Sequence, residues 1–471
     1  MITLPAAAIS LTLFPRLLGG IYLIAFISLL VQVRGLYGAQ GILPIADYTA
    51  RLRRHFGARA WRLYPSLFWL NAGDPFLLGA AWAGIALSFL LLAGIAVFPA
   101  LILLWLLYLS FTSLGQDFLS FQWDALLLEA GFMTIFLPLA DPSSPVVAFA
   151  YHFFLFRFML SAGVVKLASH DPNWRRLRAL LFHYETQPLP NRLAWYAHQL
   201  PAEVQKLSCL GTFFFELVVP LLCLGPATLR LAACVLLLCF QALLFLSGSY
   251  GFFNLLTMVL CVPLLDDRFL ASFAFLPVAA APLLPALSAP ASAFFLLFLL
   301  LNGLQLLRLG AHPRWLAPLL GKCGSWGISS PYGLFAVMTT TRYEYVIEGS
   351  NDGEEWQAYT FGWKPGDPAE PPRQAAPHQP RLDWQMWFAA LDPTNIDPWF
   401  VRLLKRLLEG SPPVLALFRH VPFVDAPPRL LRLTVYQYHF TNWTTRRARG
   451  HWWQREEISK SAPLALENLT P

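Results

Sequence analysis

Long apolar runs separated by short charged stretches fill the first two thirds of the chain. The first run, from about Phe14 to Val33, has roughly the 20 residues that cross a bilayer core. Further runs lie at about 76–94, 96–114, 121–139, 146–167, 208–224, 227–247, 250–265 and 271–307, and the last of these is long enough for two passes. This pattern predicts about eight to ten transmembrane helices.

The pattern changes near Ser325, where helix-length apolar runs stop. Apolar and polar residues alternate with a period of two over 343–347 and again over 431–440, which is typical of strands. The residues Asn351, Asp352 and Gly353 lie between two strand-like runs, and such a sequence favours a tight hairpin turn. The last part of the chain is therefore expected to be rich in β-structure.

Together these patterns define the expected fold class. We predict a polytopic α-helical membrane bundle over residues 1–310, with a polar loop at 168–206, followed by a small β-rich soluble domain over residues 325–471. A β-sandwich is one form that the strand–turn–Trp pattern of this domain allows. The proline-rich stretch 364–380 cannot be a central strand, so we expect it to be a surface loop.

Composition supports a membrane protein. Of the 471 residues, 56% are hydrophobic and 13% are charged, well below the charged share of soluble domains. The net charge of +7 resides mainly in loops beside apolar runs, where arginine meets lipid phosphates. Because basic residues do not form a stripe interleaved with aromatic ones, we expect the lipid bilayer and not nucleic acid as a partner.

Several catalytic and cofactor motifs are missing from the sequence. The six cysteines contain no CxxC pair, the histidines match no standard zinc spacing, and neither GxSxG nor a phosphate loop is present. We therefore expect no metal and no cofactor, and a non-enzymatic role is favoured over catalysis.

Charged residues nevertheless occur within the apolar runs. They are Asp124, Glu129, Arg157, Lys166 and Glu216. An unpaired charge in hydrocarbon costs several kcal/mol, so these side chains must face one another, water or an internal cavity. We expect Glu129 or Glu216 to pair with Arg157. Helix packing is one use for these groups, and catalysis or ligand binding is the other.

The 168–206 loop concentrates residues that commonly bind other molecules. They are His183, Tyr184, Glu185, Gln187, Trp195, Tyr196 and His198. Aromatic residues beside a bilayer often serve as interfacial anchors. The alternative is an exposed ledge of aromatic and imidazole groups that binds a client protein.

A second aromatic motif lies in the C-terminal region. It contains His378, Arg381, Asp383, Trp384 and Trp387. The two tryptophans are three residues apart and share one face of a helix. We expect this motif either to dock the soluble domain onto the membrane domain or the bilayer, or to pack within the β-rich domain.

Three segments of the chain resemble the lipase maturation factor family. They are "FLSFQWDALLLEAGF" at 118–132, "HYETQPLPNRLAWYAHQLP" at 183–201 and "APHQPRLDWQMWFAAL" at 376–391. The resemblance implies a membrane-resident folding factor that helps dimeric lipases reach their active form, with a lipase-like client as partner. It implies the endoplasmic reticulum membrane in a eukaryote and the inner membrane in a bacterium.

A fainter resemblance links "FMLSAGVVKLASHDPNW" at 158–174 to the membrane domain of vitamin K-dependent γ-carboxylase. It implies an alternative function, a membrane enzyme that modifies a lipid, quinone or peptide with Lys166 as base and Glu129 or Asp124 beside it. The other interpretation is that Lys166 extends its ammonium group from a helix end to the headgroups.

Overall fold

The computed structural model describes residues 8–141, 143–272, 287–308 and 316–469. The helices of its membrane part are α1 (Ala8–Leu30), α2 (Val33–Tyr37), α3 (Ile45–Phe56), α4 (Ala60–Leu63), α5 (Asp74–Ala93), α6 (Val97–Leu114), α7 (Gln122–Ile135), α8 (Pro145–Ala168), α9 (Pro172–Arg175), α10 (Leu180–Thr186), α11 (Arg192–His198), α12 (Ala202–Phe213), α13 (Val219–Leu222), α14 (Ala227–Ser247), α15 (Phe253–Leu260), α16 (Asp267–Leu270), α17 (Ser288–Leu307) and α18 (Leu316–Ser325). A π-helical turn, Phe214–Val218, joins α12 to α13.

Within the described residues, seven helices are long and apolar enough to cross a membrane. They are α1, α5, α6, α8, the continuous helix from α12 to α13, α14 and α17. The predicted helical membrane bundle is thereby confirmed. Two predicted spans are too short, because the runs at 121–139 and 250–265 form α7 and α15, of only 14 and 8 residues. The predicted run 271–307 falls partly on residues 273–286, outside the described residues.

Helix α7 is apolar because it is enclosed by protein. Its residues from Leu126 to Gly131 are all buried, on every side of the helix. A helix that is hydrophobic all round belongs in a core or in a membrane, and hydropathy alone does not separate these two cases. The overcount of spans follows from this ambiguity.

Small residues bring α1 and α5 close together. A Cβ atom on Gly84 would overlap the ring of Phe26, and one on Gly19 would lie 2.8 Å from the backbone nitrogen of Leu92. In a bilayer, helix association depends on van der Waals packing, so glycine at a crossing lets two backbones approach. This contact fixes the first helix of the bundle.

The C-terminal region forms one antiparallel sheet of four strands within the described residues, in the order β2-β1-β3-β4. The strands are β1 (Arg342–Ser350), β2 (Gln357–Ala358), β3 (Leu430–Phe440) and β4 (Trp453–Lys460). The predicted hairpin is present: β1 pairs with β2, and Gly353 takes a positive φ of 82° in the turn. The carboxylate of Asp352 accepts hydrogen bonds from the next backbone amides, those of Glu354 and Glu355.

Four helices accompany this sheet, namely α19 (Arg381–Ala389), α20 (Pro398–Leu408), α21 (Pro412–Leu415) and α22 (Trp443–Arg449). The amphipathic helix α20 covers the sheet, with Phe400 against Tyr345 at 5.0 Å between ring centroids. The β-sandwich considered above is therefore wrong for the described residues, because a helix and not a second sheet supplies the opposing layer.

One hydrophobic core runs through both parts of the chain. Phe118, beside the membrane helices, packs on Trp399 of α20, and Phe121 packs on Trp384 of α19. The proline-rich stretch 364–380 contributes to this core, since Ala375, Ala376, Gln379 and Pro380 are buried. The expected surface loop is thus correct only for its middle portion, around 366–371. The boundaries 1–310 and 325–471 stay a prediction.

The crossing of α1 and α5 leads to a first testable prediction. Gly84→Leu should lower the free energy of unfolding by about 1–3 kcal/mol or more, because the added side chain has no space beside Phe26. Thermal unfolding of the detergent-purified protein measures the effect. Gly79→Leu is the matched control on the same helix, since its Cβ would meet no atom within 4 Å. Equal losses of stability in both variants would contradict this packing.

Candidate functional site

Helix α19 of the C-terminal motif is anchored to the membrane helices by an ion pair. The guanidinium of Arg381 donates to both carboxylate oxygens of Asp124, at 2.9 and 2.8 Å, and to the carbonyl of Phe118 at 2.7 Å. Tyr108 donates to the same carboxylate at 2.5 Å. Both charged side chains are only 1% exposed. Burial lowers the pKa of Arg381, but the charge of Asp124 outweighs this effect and the net pKa is raised.

The residues just before α19 lie against α1. The Ser28 hydroxyl accepts from the backbone amide of Gln379 and is 2.9 Å from Nδ1 of His378. Gln32 donates to the carbonyl of Gln379 and accepts from the amide of Arg381. Burial, reinforced by the charge of Arg381, lowers the pKa of His378 to about 4. This imidazole is therefore neutral at physiological pH.

The remaining residues of the motif are also buried at this junction. Trp384 packs on Trp123 of α7 at 4.7 Å between ring centroids, and the indole of Trp387 donates to the carbonyl of Thr186 at 2.8 Å. Asp383 accepts from the backbone amides of Trp363 and Lys364. Burial raises the pKa of Asp383 to about 6. The motif therefore contacts the membrane part through Arg381, Trp384 and Trp387 and the C-terminal region through Asp383.

The polar stretch 168–206 consists largely of the short helices α9, α10 and α11. The turn after α10 is held by Arg342 of β1, which donates to the carbonyls of Glu185, Gln187 and Pro188. Arg342 also forms an ion pair with Glu344 at 2.5 Å. Sequence reasoning missed Arg342, although its position two residues before Glu344 on a strand places the two side chains on one face.

Glu185 joins the same turn to β3. Its carboxylate accepts from the amide of Phe440 at 2.9 Å and lies 3.4 Å from Nδ1 of His439 and 3.7 Å from Nε2 of His198. Burial raises the pKa of Glu185, but the hydrogen bond to His439 and the charges of the two histidines lower it overall. The same hydrogen bond raises the pKa of His439. We call this junction of 183–191, 376–387 and the sheet the seam.

His183 and Gln187 belong to a neighbouring hydrogen-bond chain. Tyr250 donates its hydroxyl proton to Gln187 at 2.7 Å, and Nε2 of His183 lies 3.0 Å from the same hydroxyl. Burial lowers the pKa of His183 to about 4, and the charge of Lys166 adds to this effect. The ring is therefore neutral, with Nε2 donating to Tyr250. Tyr184 lies beside it, against a cavity of the membrane part.

Trp195 is buried, so neither the interfacial anchor nor the exposed ledge applies to this residue. Its side chain is fully buried beneath Trp443 and Trp452, with the guanidinium of Arg446 4.9 Å from its ring centroid. Asn191 caps the start of helix α11, because its side chain accepts from the amide of Ala194. The buried indole therefore joins α11 to the end of the sheet.

The intramembrane charges form two further pairs. Glu129 pairs with Arg157 at 2.6 Å, and it also accepts from the amide of Ser330 and the hydroxyl of Tyr332. The expected Glu129–Arg157 contact is therefore present. It includes the segment that leads from α18 to β1, so it joins the membrane helices to the C-terminal region as well.

Lys166 does not extend to the headgroups, and that interpretation is wrong. It is 4% exposed and donates to both carboxylate oxygens of Glu216, at 2.8 Å each, and to the carbonyl of Ala162. Glu216 lies on the π-helical turn, and such turns are frequent at functional sites. The structure does not bring Glu129 or Asp124 to Lys166, because each is held by a different arginine.

The described ranges hold no cluster of three or more histidine, cysteine or acidic side chains that could bind a metal ion. All six cysteines are free, and five of them are buried or half-buried. The site is thus built from buried ion pairs and hydrogen bonds. These features define a class of protein, namely a polytopic helical membrane protein whose C-terminal region is locked onto its membrane helices by buried polar contacts.

Comparison with known proteins specifies the family. The chain matches the lipase maturation factor transmembrane domain over residues 9–272 and the lipase maturation factor C-terminal domain over residues 328–463. It is 34% identical to human lipase maturation factor 2, covering 96% of this chain and 82% of that protein. It is 32% identical to human lipase maturation factor 1, covering 97% and 88%. No solved structure matches it. The chain therefore belongs to the lipase maturation factor family.

The buried Arg381–Asp124 pair generates a second prediction. Arg381→Met and Asp124→Leu should each destabilise the protein by about 3–5 kcal/mol, because each leaves an uncompensated buried charge. The double variant should be more stable than either single variant, since no charge remains. Thermal unfolding in detergent measures all of these stabilities. Simple additivity of the two losses would show that the pair does not couple the two parts of the chain.

A third prediction concerns the pH dependence of stability. The pKa of Asp383 is raised by folding from its ordinary value to about 6, so the folded state binds the proton more tightly than the unfolded state. The contribution of Asp383 to stability should fall by up to about 3 kcal/mol as the pH rises from about 4 through about 6, so over this range the native protein should lose stability relative to Asp383→Asn. Unfolding temperatures measured between pH 4 and pH 8 test this. Asp392→Asn, at an exposed carboxylate beyond α19, is the control and should keep the native slope.

Proposed function

We propose that this protein is a non-enzymatic maturation factor that assists the folding or assembly of a secreted lipase at a membrane surface. The observation that carries the proposal is the match to both family domains, over nearly the whole chain. The names of the relatives support lipases as the client class. A catalytic alternative lacks support, because the three protons of the Lys166 ammonium are all used in hydrogen bonds and the other two carboxylates are paired elsewhere.

We place the client contact away from the buried residues of the seam, such as Glu185, Arg342 and Arg381. One exposed aromatic surface is formed by Tyr196 of α11 and Trp443 of α22, which are 42% and 46% exposed, with ring centroids 5.7 Å apart. Arg447 lies over Trp443. Tryptophan, tyrosine and arginine dominate the energetics of protein interfaces. We call Tyr196, Trp443 and Arg447 the aromatic ledge and propose that it binds the client.

The buried residues beneath the aromatic ledge keep it rigid. Trp195 packs under Trp443, and Arg446 lies 3.4 Å from the centroid of a Trp452 ring. A preorganised surface loses less conformational entropy on binding than a flexible one. Trp195 and Trp452 would therefore serve the function indirectly, by holding α11 and α22 together.

The family resemblance supports a location for this activity. An inner-membrane position in a bacterium, or an endoplasmic reticulum position in a eukaryote, would present the ledge and the C-terminal region to a client on the exoplasmic side. The client would then meet the factor soon after translocation and before release.

The fourth prediction tests the proposed function. In cells that lack their own maturation factor, co-expression of this protein with a secreted dimeric lipase should raise the lipase activity per unit of secreted lipase. Tyr196→Ala combined with Trp443→Ala should lower that gain by about tenfold or more, the effect expected when hot-spot contacts worth at least ~1.4 kcal/mol are lost.

The control is Trp82→Ala, because Trp82 is also exposed, at 60%, but lies on α5 away from the aromatic ledge. It should retain the full gain. Membrane levels and unfolding temperatures of all variants must match those of the native protein. A gain that survives loss of both ledge aromatics would eliminate the ledge as the client surface, and the absence of any gain with the native protein would eliminate lipase maturation itself.

A further inference from the structure

The membrane part contains a cavity of about 420 Å³. It lies between α8, α12, α14 and the segment 332–335, and its lining is largely apolar, with Phe158, Met159, Phe215, Phe240, Leu244 and Phe253 among its residues. This volume is within the range of about 300–1,000 Å³ that is usual for small-molecule sites. The cavity is therefore large enough for a ligand and has walls suited to a hydrocarbon chain.

The cavity opens between α12 and α14. Leu200, just before α12, and Leu243, on α14, line it and are 44% and 60% exposed. Gly211 of α12 also lines it, and a Cβ atom at this glycine would meet no atom within 4 Å. Both helices are among those long enough to cross the membrane. A ligand dissolved in the bilayer can therefore enter from the side.

Two buried amides face one another within the lining. Asn254 and Gln241 are 1% and 2% exposed, and Nδ2 of Asn254 donates to Oε1 of Gln241 at 2.8 Å. Among the described residues, Oδ1 of Asn254 has no hydrogen-bond partner, and Nε2 of Gln241 meets only the sulfur of Met159, at 4.0 Å. Buried acceptors without partners are rare in native structures because they cost about 1–3 kcal/mol. Oδ1 of Asn254 can accept a hydrogen bond and Nε2 of Gln241 can donate one. A hydroxyl group can satisfy both, because it is a donor and an acceptor.

The charges of the cavity argue for an uncharged ligand. Lys166 and Glu216 line it, but they neutralise one another at 2.8 Å. His183 also lines it and is neutral, since burial lowers its pKa to about 4. A carboxylate or phosphate entering the cavity would be desolvated without a counter-charge of its own, which is strongly unfavourable.

We propose that this cavity binds an uncharged single-chain lipid whose headgroup is a hydroxyl, such as a long-chain alcohol or a monoacylglycerol. The hydroxyl donates to Oδ1 of Asn254 and accepts from Nε2 of Gln241, and the chain lies among the aromatic residues. The cavity is of a size usual for a small ligand, and its apolar walls suit one hydrocarbon chain. The inference does not depend on a lipase client.

Photo-crosslinking of the full-length protein tests this inference. The protein is placed in phosphatidylcholine nanodiscs with a tetradecanol probe that carries a diazirine and an alkyne, and the labelled peptides are located by mass spectrometry. Label should fall on α12 or α14. Gly211→Trp, which fills the cavity, should reduce the labelling by about tenfold or more, as expected for a loss of at least ~1.4 kcal/mol of binding.

Gly303→Trp is the matched control. Gly303 lies on α17, its Cβ would also meet no atom within 4 Å, and it does not line the cavity. This variant should be labelled like the native protein, and both variants should unfold at native temperatures. Equal labelling of the two variants, or labelling spread over all lipid-facing helices, would overturn the proposal.

The headgroup is tested by competition. Tetradecanol should displace the probe at about tenfold lower concentration than tetradecane, because only the alcohol satisfies the two amides. The double variant Gln241→Leu with Asn254→Leu should lose this preference while it remains folded, since replacing both polar partners by apolar ones is nearly neutral.

Competition by monomyristoylglycerol that is stronger than that by tetradecanol would assign the hydroxyl to a glycerol headgroup, and weaker competition would assign it to a simple alcohol. Both results support the proposal. Myristate competing better than either uncharged lipid would overturn it, and so would an unchanged preference for alcohol in the double variant.

Discussion

The structure depends above all on the requirement that a charge buried among lipid-length helices must find an opposite charge. Asp124 lies on α7, a helix enclosed on every side, and its partner Arg381 is 257 residues further along the chain. An unpaired carboxylate there would cost several kcal/mol, so the membrane bundle is complete only when α19 is in place. The C-terminal region is consequently held against the membrane helices by a buried ion pair.

The same requirement explains why the family segments lie together. The 118–132 segment supplies Asp124, the 376–391 segment supplies Arg381, and the turn in the 183–201 segment is held by Arg342 of the sheet. Each joins elements that are far apart in sequence. Residues in these segments that have the chemistry of binding sites, such as Trp195 and Glu185, are used to join the two parts of the chain. The two surfaces that we propose for other molecules are the aromatic ledge and the cavity beside Lys166.

The two proposed binding surfaces lie at different places in the molecule. The aromatic ledge lies where α11 meets the end of the sheet, and the cavity opens between α12 and α14. The polar stretch 183–201 lies between them: His183 and Tyr184 line the cavity, and Tyr196 belongs to the ledge.

The sequence by itself determined the fold class, the hairpin at 351–353 and the need of each intramembrane charge for a partner, because these follow from local periodicity and from solvation. It also contained the family resemblance. Only the tertiary structure decided which charges pair. Lys166 pairs with Glu216 and Arg157 pairs with Glu129, whereas the sequence pattern allowed either cation to meet more than one carboxylate. Burial of Trp195 was likewise a tertiary outcome, since an indole has the same local signature at a membrane surface, at a client interface and in a core. The number of spans was overestimated for a similar reason. A helix enclosed by protein and a helix enclosed by lipid are both shielded from water, so both have an apolar sequence.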